Sequence, residues 1–449
     1  MKRALEDREA QRSGLRLSRG FGGGAPIVIV LLFLARCGSC KSNAAPDAGS
    51  ATVASASASS RPVATPAPLS LPMAADHDAA GNVYVAGFVA ARSAVNLSRF
   101  DDQGRLVWSV DALADLGFSS DAHVDVVAAQ DGANVIWRGL QNKKRARIAQ
   151  WVSSDGSVTG ASAAVGSSAC AAAGWLYAVG GKLGSSALVR PIKGGSDKSL
   201  VTIPEGHDPV LVCGEGTRAY IIDDGDDDVG IRLLDPEKDH ALPRAVPVPL
   251  DALGGDEIRE HEDFTTGDTL HELVVTEKGA LSLHQYDGTT VAPRRALETP
   301  INADEDLMAA DGNATHVVAL IAREATARCD GDMGTDVLAL DVPTDGSKER
   351  VTEVAHAPCG RDLGPYWVAP TPSAIYLAWN VRGPRNGSRA PVEALQWTKL
   401  GGTVAEVKLS AEDIVFAGCA KGKCMFASIV RPEGTDGMAP GEARVISIP

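Results

Sequence analysis

The segment 76–110, DHDAAGNVYVAGFVAARSAVNLSRFDDQGRLVWSV, predicts the fold of the chain. It contains short runs in which apolar and polar residues alternate, which is the pattern of half-buried β-strands. The runs are separated by turns rich in Asp and Gly, because Asp caps its own loop and Gly tolerates positive φ. We therefore predict strands at 82–87, 95–100 and 105–110, with a turn at 101–104.

A second unit repeats the spacing of the first. Gly87 and Gly104 are 17 residues apart, and so are Gly139 and Gly156. Looser copies continue along the chain, which gives eight units with a period of roughly 45 to 50 residues. Such a period is typical of the four-stranded units of a β-propeller. We predict an all-β fold, a β-propeller over residues 69–449 with eight blades, or with seven as the alternative.

The first unit resembles the repeat of bacterial seven-bladed propellers, which reads D-x-x-GNVYVxG followed by G-x-L-x-W. The matching residues are Asp78, 81–87, Gly104, Leu106 and Trp108. The unit is also similar, more distantly, to the quinoprotein-like repeats of outer-membrane assembly lipoproteins. The resemblance implies a fold and no particular activity, because one such fold hosts many unrelated functions.

The ends of the repeat region predict how the ring closes. The last unit stops at Pro449, after its third predicted strand, which leaves a sheet edge without a partner. The apolar segment 69–73 precedes the first unit. We predict that this segment supplies the missing strand and closes the ring against the last blade.

Residues 1–40 have the composition of an export signal. A basic start precedes the apolar run 25–35, which is shorter than the roughly 20 residues that a spanning helix needs. The following LARCGSCK resembles the lipobox of bacterial lipoproteins. This resemblance implies that Cys40 carries the lipid, with Cys37 as the alternative, while simple cleavage further along stays open.

Residues 41–68 are rich in Ala, Ser and Pro and contain few large apolar residues, which predicts a disordered linker. We therefore expect an exported monomer in the cell envelope. The lipid would anchor it to the outer membrane, on the periplasmic or the surface side, and would be its only membrane contact.

Six cysteines follow the leader, and an even number in an exported chain indicates disulfides. Their positions in the repeat favour three pairs among the 15 pairings that stay open. These pairs are Cys419 with Cys424, Cys329 with Cys359, and Cys170 with Cys213.

The acidic run 223–230 is the candidate cation site. Asp224, Asp226 and Asp228 alternate as they do in calcium loops, so their carboxylates can converge on one hard cation. A solvated hairpin loop is the alternative, and we expect no other cofactor. A second charged run, 256–263, is predicted to be an exposed loop in which His261 is solvated.

The charge and the missing motifs limit the function. A formal net charge of −14 repels phosphate backbones, so nucleic acid is not an expected partner. The chain has no Gly-x-Ser-x-Gly elbow, no P-loop and no His-Glu-x-x-His. We therefore expect no enzyme but a tethered binding or scaffold protein for a protein or a glycan. The alternatives are a propeller-type lyase or hydrolase with its site at the central channel, and a lipoprotein that assists outer-membrane assembly.

Overall fold

The computed structural model describes residues 69–449 apart from several short segments. The segments left out are 167–168, 181–185, 196, 203–207, 215–217, 225–228, 237–245, 249–257, 289, 291, 293–294, 326–333, 384–389 and 431–440. The described part of the chain is all-β, with 31 strands and one 3₁₀ helix, Ala90–Arg92. No helix within these residues is long and apolar enough to cross a bilayer.

The strands of the described residues form seven sheets, and strands that follow one another within a sheet pair antiparallel, except that Leu116–Gly117 of the second sheet pairs with Gly132–Gln141. Sheet 1 contains β1 (Ser70–His77), β2 (Val83–Val89), β3 (Ala94–Phe100) and β4 (Leu106–Leu113). Sheet 2 contains β5 (Leu116–Gly117), β6 (His123–Ala129), β7 (Gly132–Gln141), β8 (Lys144–Ser153) and β9 (Val158–Ala164). Sheet 3 contains β10 (Ala169–Ala172), β11 (Trp175–Gly180), β12 (Ser186–Pro191) and β13 (Lys198–Thr202).

The remaining sheets follow the same order. Sheet 4 contains β14 (Asp208–Cys213), β15 (Ala219–Asp224), β16 (Val229–Leu234) and β17 (Val246–Val248). Sheet 5 contains β18 (Ile258–Thr266), β19 (Thr269–Thr276), β20 (Leu281–Tyr286) and β21 (Arg295–Ala296). Sheet 6 contains β22 (Glu305–Gly312), β23 (His316–Glu324), β24 (Thr335–Pro343) and β25 (Arg350–His356). Sheet 7 contains β26 (Asp362–Pro370), β27 (Ile375–Arg382), β28 (Val392–Lys399), β29 (Ala405–Ala420), β30 (Lys423–Val430) and β31 (Glu442–Ile448).

Sheet 7 holds the last two predicted units, because they share the long strand β29. The first part of β29 pairs with β28, from Ala405 opposite Trp397 to Ala411 opposite Val392. Its second part pairs with β30, and the register shifts after Ala411. The predicted boundary between the two units is therefore an irregular continuation of one strand.

The inner strands of the repeats lie side by side. β14 packs on β18, β18 on β22, β22 on β26 and β26 on β29. At the other end of the chain, β1 packs on both β6 and β29. This arrangement of successive antiparallel sheets is that of a propeller, and it puts the first strand of each repeat on the inside.

The core lies between successive sheets. In β2, Tyr84 and Ala86 pack towards sheet 2, whereas Val83 and Val85 pack towards the end of sheet 7. All seven residues of β2 are buried. A strand covered on both faces needs an almost continuous apolar run, which explains the sequence NVYVAGFV.

The first described strand and sheet 7 meet at a seam. The backbone N–H groups of Leu69 and Gly441 each donate to the carbonyl oxygen of the other residue at 2.8 Å. The ring of His77 in β1 lies against β29, with Nδ1 2.8 Å from the Ala417 carbonyl oxygen and Nε2 3.0 Å from that of Cys419. Carbonyl oxygens only accept hydrogen bonds, so the imidazolium form satisfies both contacts.

The predicted closing strand 69–73 forms differently. Among the residues that the structure describes, which exclude 431–440, Leu69 alone pairs with the last unit, as an isolated bridge to Gly441. From Ser70 the chain belongs to β1, where it pairs with β2 instead. β1 is therefore the first strand of sheet 1, and closure of the ring by segment 69–73 stays a prediction.

Candidate functional site

The sequence-predicted cation site is only partly within the described residues. Asp224 is the last residue of β15, and its backbone is paired with Val229. Asp226 and Asp228 lie outside the described residues, as do Cys37, Cys40 and the linker. The calcium site and the lipidation site stay predictions.

Two disulfides connect described strands. One joins Cys170 in β10 to Cys213 in β14, the first strands of sheets 3 and 4. The other joins Cys419 in β29 to Cys424 in β30 across a tight turn. Cys359 is also disulfide-bonded, and Cys329 lies outside the described residues.

The expectation of an exposed loop around His261 is wrong. Residues Ile258–Thr266 form β18, the first strand of sheet 5. The side chains of His261, Asp263 and Glu272 are 15%, 6% and 11% exposed. The strand was not predicted because its many charged residues leave little of the apolar alternation by which a strand is recognised.

Three strands bring these side chains together. Asp263 lies opposite Glu272, and Glu272 lies opposite His284, so the three residues form one row across β18, β19 and β20. His261 is on the same face, since it lies two residues before Asp263. The same face carries Leu270, which packs against sheet 4. The row therefore lies between sheets 4 and 5.

The ligand-type atoms of this row are close to one another. His261 Nδ1 lies 3.4 Å from Asp263 Oδ1 and 3.7 Å from Glu272 Oε1. One imidazole nitrogen and two carboxylate oxygens thus fall within 4.8 Å of one another. Next to them, the Ser282 hydroxyl and His284 Nε2 are 3.2 Å apart. We name His261, Asp263 and Glu272 the inner-strand cluster.

The chemistry of the inner-strand cluster suits a divalent cation. Imidazole and carboxylate ligands together are typical of zinc, manganese and iron sites. Two carboxylates that share a mostly buried position also favour a positive charge between them, because burial raises the cost of like charges.

The turn between β18 and β19 is a sequence signal from which this register can be predicted. Gly267 and Asp268 are a two-residue hairpin turn, which places Thr266 opposite Thr269. Counting back from that turn puts Asp263 opposite Glu272. Sequence reasoning missed the pair because it did not treat 256–266 as a strand.

A second group of metal-ligand residues lies on sheet 6 and has a different partner. Asp336, Glu353 and His356 approach one another closely. However, the Arg323 guanidinium contacts the carboxylates of Asp336 and Glu353, each at 3.1 Å. A guanidinium already supplies positive charge there, so we interpret this group as an ion-pair network near the surface.

The opposite face of β19 predicts a pH dependence of stability. His271 is buried, stacks on Phe264 with ring centroids 5.3 Å apart, and has Nε2 2.6 Å from Thr266 Oγ1. Burial lowers the pKa of His271 from 6.5 to about 4. The folded protein therefore holds this ring neutral, whereas the unfolded chain takes up a proton below pH 6.5. Its contribution is complete above pH 6.5 and is lost as the pH falls towards 4.

We expect His271→Gln to reduce the acid sensitivity of the protein. Between pH 7.5 and pH 5, the wild type should lose about 2 kcal/mol of unfolding free energy through His271 alone. The variant should lack that loss, although it is less stable at pH 7.5. Urea unfolding at the two pH values measures both. Equal losses in wild type and variant would contradict a buried neutral His271.

Comparison with known proteins gives a fold but no family. No family model matches the chain, and no curated protein matches it. Oligopeptidase B from Trypanosoma brucei is similar with a TM-score of 0.50 and 15% identity, over 79% of this chain and 52% of that one. The β-propeller domain of the Trilobed protease from Pyrococcus furiosus has a TM-score of 0.46 and 8% identity, over 73% and 94% of the two chains. An oligogalacturonate lyase in complex with manganese has a TM-score of 0.44 and 8% identity, over 85% and 97%.

These similarities correct one expectation. Oligopeptidase B, similar at a TM-score of 0.50, is an enzyme, which contradicts the expectation that this chain is not one. The chain spans about half the length of oligopeptidase B, at 52%. At such low identity the similarity shows the fold alone, so an activity has to be argued from the residues of this chain.

Proposed function

We propose that this chain is a propeller-type enzyme, a lyase or a hydrolase, that uses a divalent cation held by the inner-strand cluster. The observation that carries the proposal is the convergence of three ligand atoms within 4.8 Å, from His261 and Asp263 on the inner strand β18 and from Glu272 on the neighbouring strand β19. A cation there would polarise a substrate oxygen or lower the pKa of a bound water, the two common tasks of catalytic metals.

The position of the cluster supports an enzyme site rather than a surface ion pair. Asp263 belongs to β18, which packs between the inner strands β14 and β22. A site on an inner strand is reached from the centre of a propeller, where loops from several sheets can contact one substrate. The adjacent Ser282 and His284 add a hydroxyl and a second imidazole to the same face.

The wider architecture belongs to the same proposal. We propose that the repeats form an eight-bladed ring, in which sheet 7 supplies two blades and the seam between β1 and β29 closes the ring. We also propose that the protein is exported and tethered through a lipid on Cys40. The tether would leave the propeller free to meet substrates in the cell envelope.

The cation site is tested by titration of the purified full-length chain. We expect one equivalent of Mn²⁺ or Zn²⁺ to bind in isothermal titration calorimetry. The substitutions Asp263→Asn and Glu272→Gln should each weaken binding by at least tenfold, since a ligand matters at least as much as the groups that orient it. Glu353→Gln, in the Arg323 network, is the control and should bind as the wild type does.

Two outcomes would reject the proposal. One is that no divalent cation binds, and the other is that cation binding survives both substitutions. Calcium in the same titration also tests the predicted site at Asp224, because binding there should be unaffected by Asp263→Asn. Turnover of chromogenic peptide, ester and glycoside substrates, with and without EDTA, then tests the activity.

A further inference from the structure

A cleft of about 320 Å³ opens at one end of sheet 6. Two turns form it, 313–315 before β23 and 344–348 after β24. Its lining is polar apart from one proline, and consists of Thr315, His316, Asp341, Pro343, Thr344, Asp345, Ser347 and Arg350. The volume is at the lower end of the range for small-ligand sites.

The walls of the cleft are fixed by hydrogen bonds between the turns. The Thr344 N–H donates to the Thr315 carbonyl oxygen at 2.9 Å, and its hydroxyl donates to the Ala314 carbonyl oxygen at 2.9 Å. Asn313 Oδ1 accepts from the backbone N–H groups of Thr315 and His316. The two turns therefore hold one geometry before any ligand arrives, which reduces the ordering cost of binding.

Neighbouring sheets also hold the cleft. Arg295 of sheet 5 donates to the backbone carbonyl oxygens of Pro343 and Ser347. On the other side, Asn313 Nδ2 donates to the Thr371 carbonyl oxygen, 3.0 Å away in the turn between β26 and β27 of sheet 7. Three sheets thus contribute to one rigid concave surface.

His316 is oriented towards the cleft by a carboxylate. Its Nδ1 lies 2.6 Å from Asp341 Oδ1, and its side chain is 38% exposed. Among the described residues, no hydrogen-bond partner contacts its Nε2. The pair therefore presents one ring nitrogen and one remaining carboxylate oxygen to a ligand.

The charges of the lining select the ligand class. Asp341 and Asp345 contribute two carboxylates, and Arg350 contributes a guanidinium. Hydrogen bonds from the Ser347 hydroxyl and N–H lower the pKa of Asp345, so this carboxylate is an acceptor at neutral pH. The lining therefore offers charged acceptors and a charged donor side by side. A neutral ligand with several hydroxyl groups both donates to the carboxylates and accepts from Arg350 and His316.

We infer that this cleft binds a neutral saccharide. The Asp341 and Asp345 carboxylates accept from sugar hydroxyls, and Arg350 donates to sugar oxygens. Pro343 is the apolar residue of the lining. This site is independent of the proposed cation site, because it shares no residue with the inner-strand cluster.

Titration of the full-length chain with D-glucose, D-galactose and D-mannose tests the inference. The readout is the NMR signal of the His316 ring, assigned with His316→Gln. At least one of the three sugars should shift it in a saturable way. Arg350→Gln and Asp341→Asn should each weaken that binding at least tenfold, whereas Val351→Ala, at an exposed neighbour outside the lining, should not change it.

Charged sugar analogues test the assigned ligand class, and EDTA distinguishes the cleft from the cation site. Glucuronate and glucosamine should bind more weakly than the neutral sugars, and tighter binding of either one would overturn the assigned class. EDTA should leave the affinity unchanged, which distinguishes this site from the cation site. No binding of any sugar, or equal binding by the wild type and Arg350→Gln, would overturn the inference. Arg350 is exposed, so that variant should fold even if Asp341→Asn does not.

A second experiment distinguishes a polymeric glycan from a free sugar as the ligand. Purified cell-envelope polysaccharide and the free sugar are compared at equal sugar concentration. At least tenfold tighter binding of the polymer would indicate a glycan ligand, and equal binding would indicate a free sugar.

Discussion

The substitution Gly418→Ala should destabilise the protein by about 3–4 kcal/mol. Gly418 lies in β29 at φ 111°, a conformation that costs a residue with a side chain about 1–2 kcal/mol. An added Cβ would also overlap the ring of His77. Displacing that ring breaks its contacts with the Ala417 and Cys419 carbonyl oxygens, each worth about 1 kcal/mol.

Gly422→Ala is the matched control for this prediction. Gly422 also has positive φ, at 76°, but no atom lies within 4 Å of the Cβ that alanine would add. The control should therefore cost about 1–2 kcal/mol, from the backbone conformation alone. Urea unfolding measures both variants, and hydrogen exchange shows where the loss occurs.

The difference in stability loss between Gly418→Ala and Gly422→Ala measures how much the seam between β1 and β29 stabilises the protein. If β1 and β29 close the ring, Gly418→Ala should speed exchange in both strands, although they are more than 300 residues apart in the chain. Equal losses of stability in the two variants would mean that the contact of His77 with β29 contributes nothing. In that case the ring would not depend on this seam for its stability.

The sequence predicted the fold where turns and apolar runs coincide. Around β2 the apolar run is continuous, and Asp101 and Gly104 set the turn before β4 in the expected place. Local turn chemistry and burial agree there, so the pattern can be read without tertiary information. The sharing of β29 by two units was not visible, because the chain continues there without a turn residue.

The candidate sites were harder to predict for a physical reason. Glu272 was not singled out at all, and His261 was taken to be solvated. Their proximity depends on the register of β18 against β19 and on the position of sheet 4, which covers that face. The cleft is still harder to predict from the sequence, because Asp341 and Thr315 come together only after sheet 6 has formed. Residues that converge from separate strands leave no contiguous motif.

The second large loss of stability is expected when a side chain packed between two sheets is removed. Trp379 in β27 is fully buried between sheets 6 and 7, in a cluster that includes Leu320 and Val337 of sheet 6. Its Nε1 donates to Gln396 Oε1 at 2.9 Å. We expect Trp379→Ala to cost about 3–5 kcal/mol, because it removes a large apolar side chain and leaves a cavity.

Phe118→Ala is the control for the loss of an aromatic side chain. Phe118 is 59% exposed and contacts one buried ring, that of Phe88, so its removal should change the unfolding free energy by no more than about 1 kcal/mol. Trp379→Phe should lie between the two, since it keeps most of the apolar volume but loses the hydrogen bond to Gln396. A loss below about 1 kcal/mol for Trp379→Ala would contradict tight packing between sheets 6 and 7. It would also weaken the inference of a rigid cleft, because sheet 7 supports that cleft through Asn313 and Thr371.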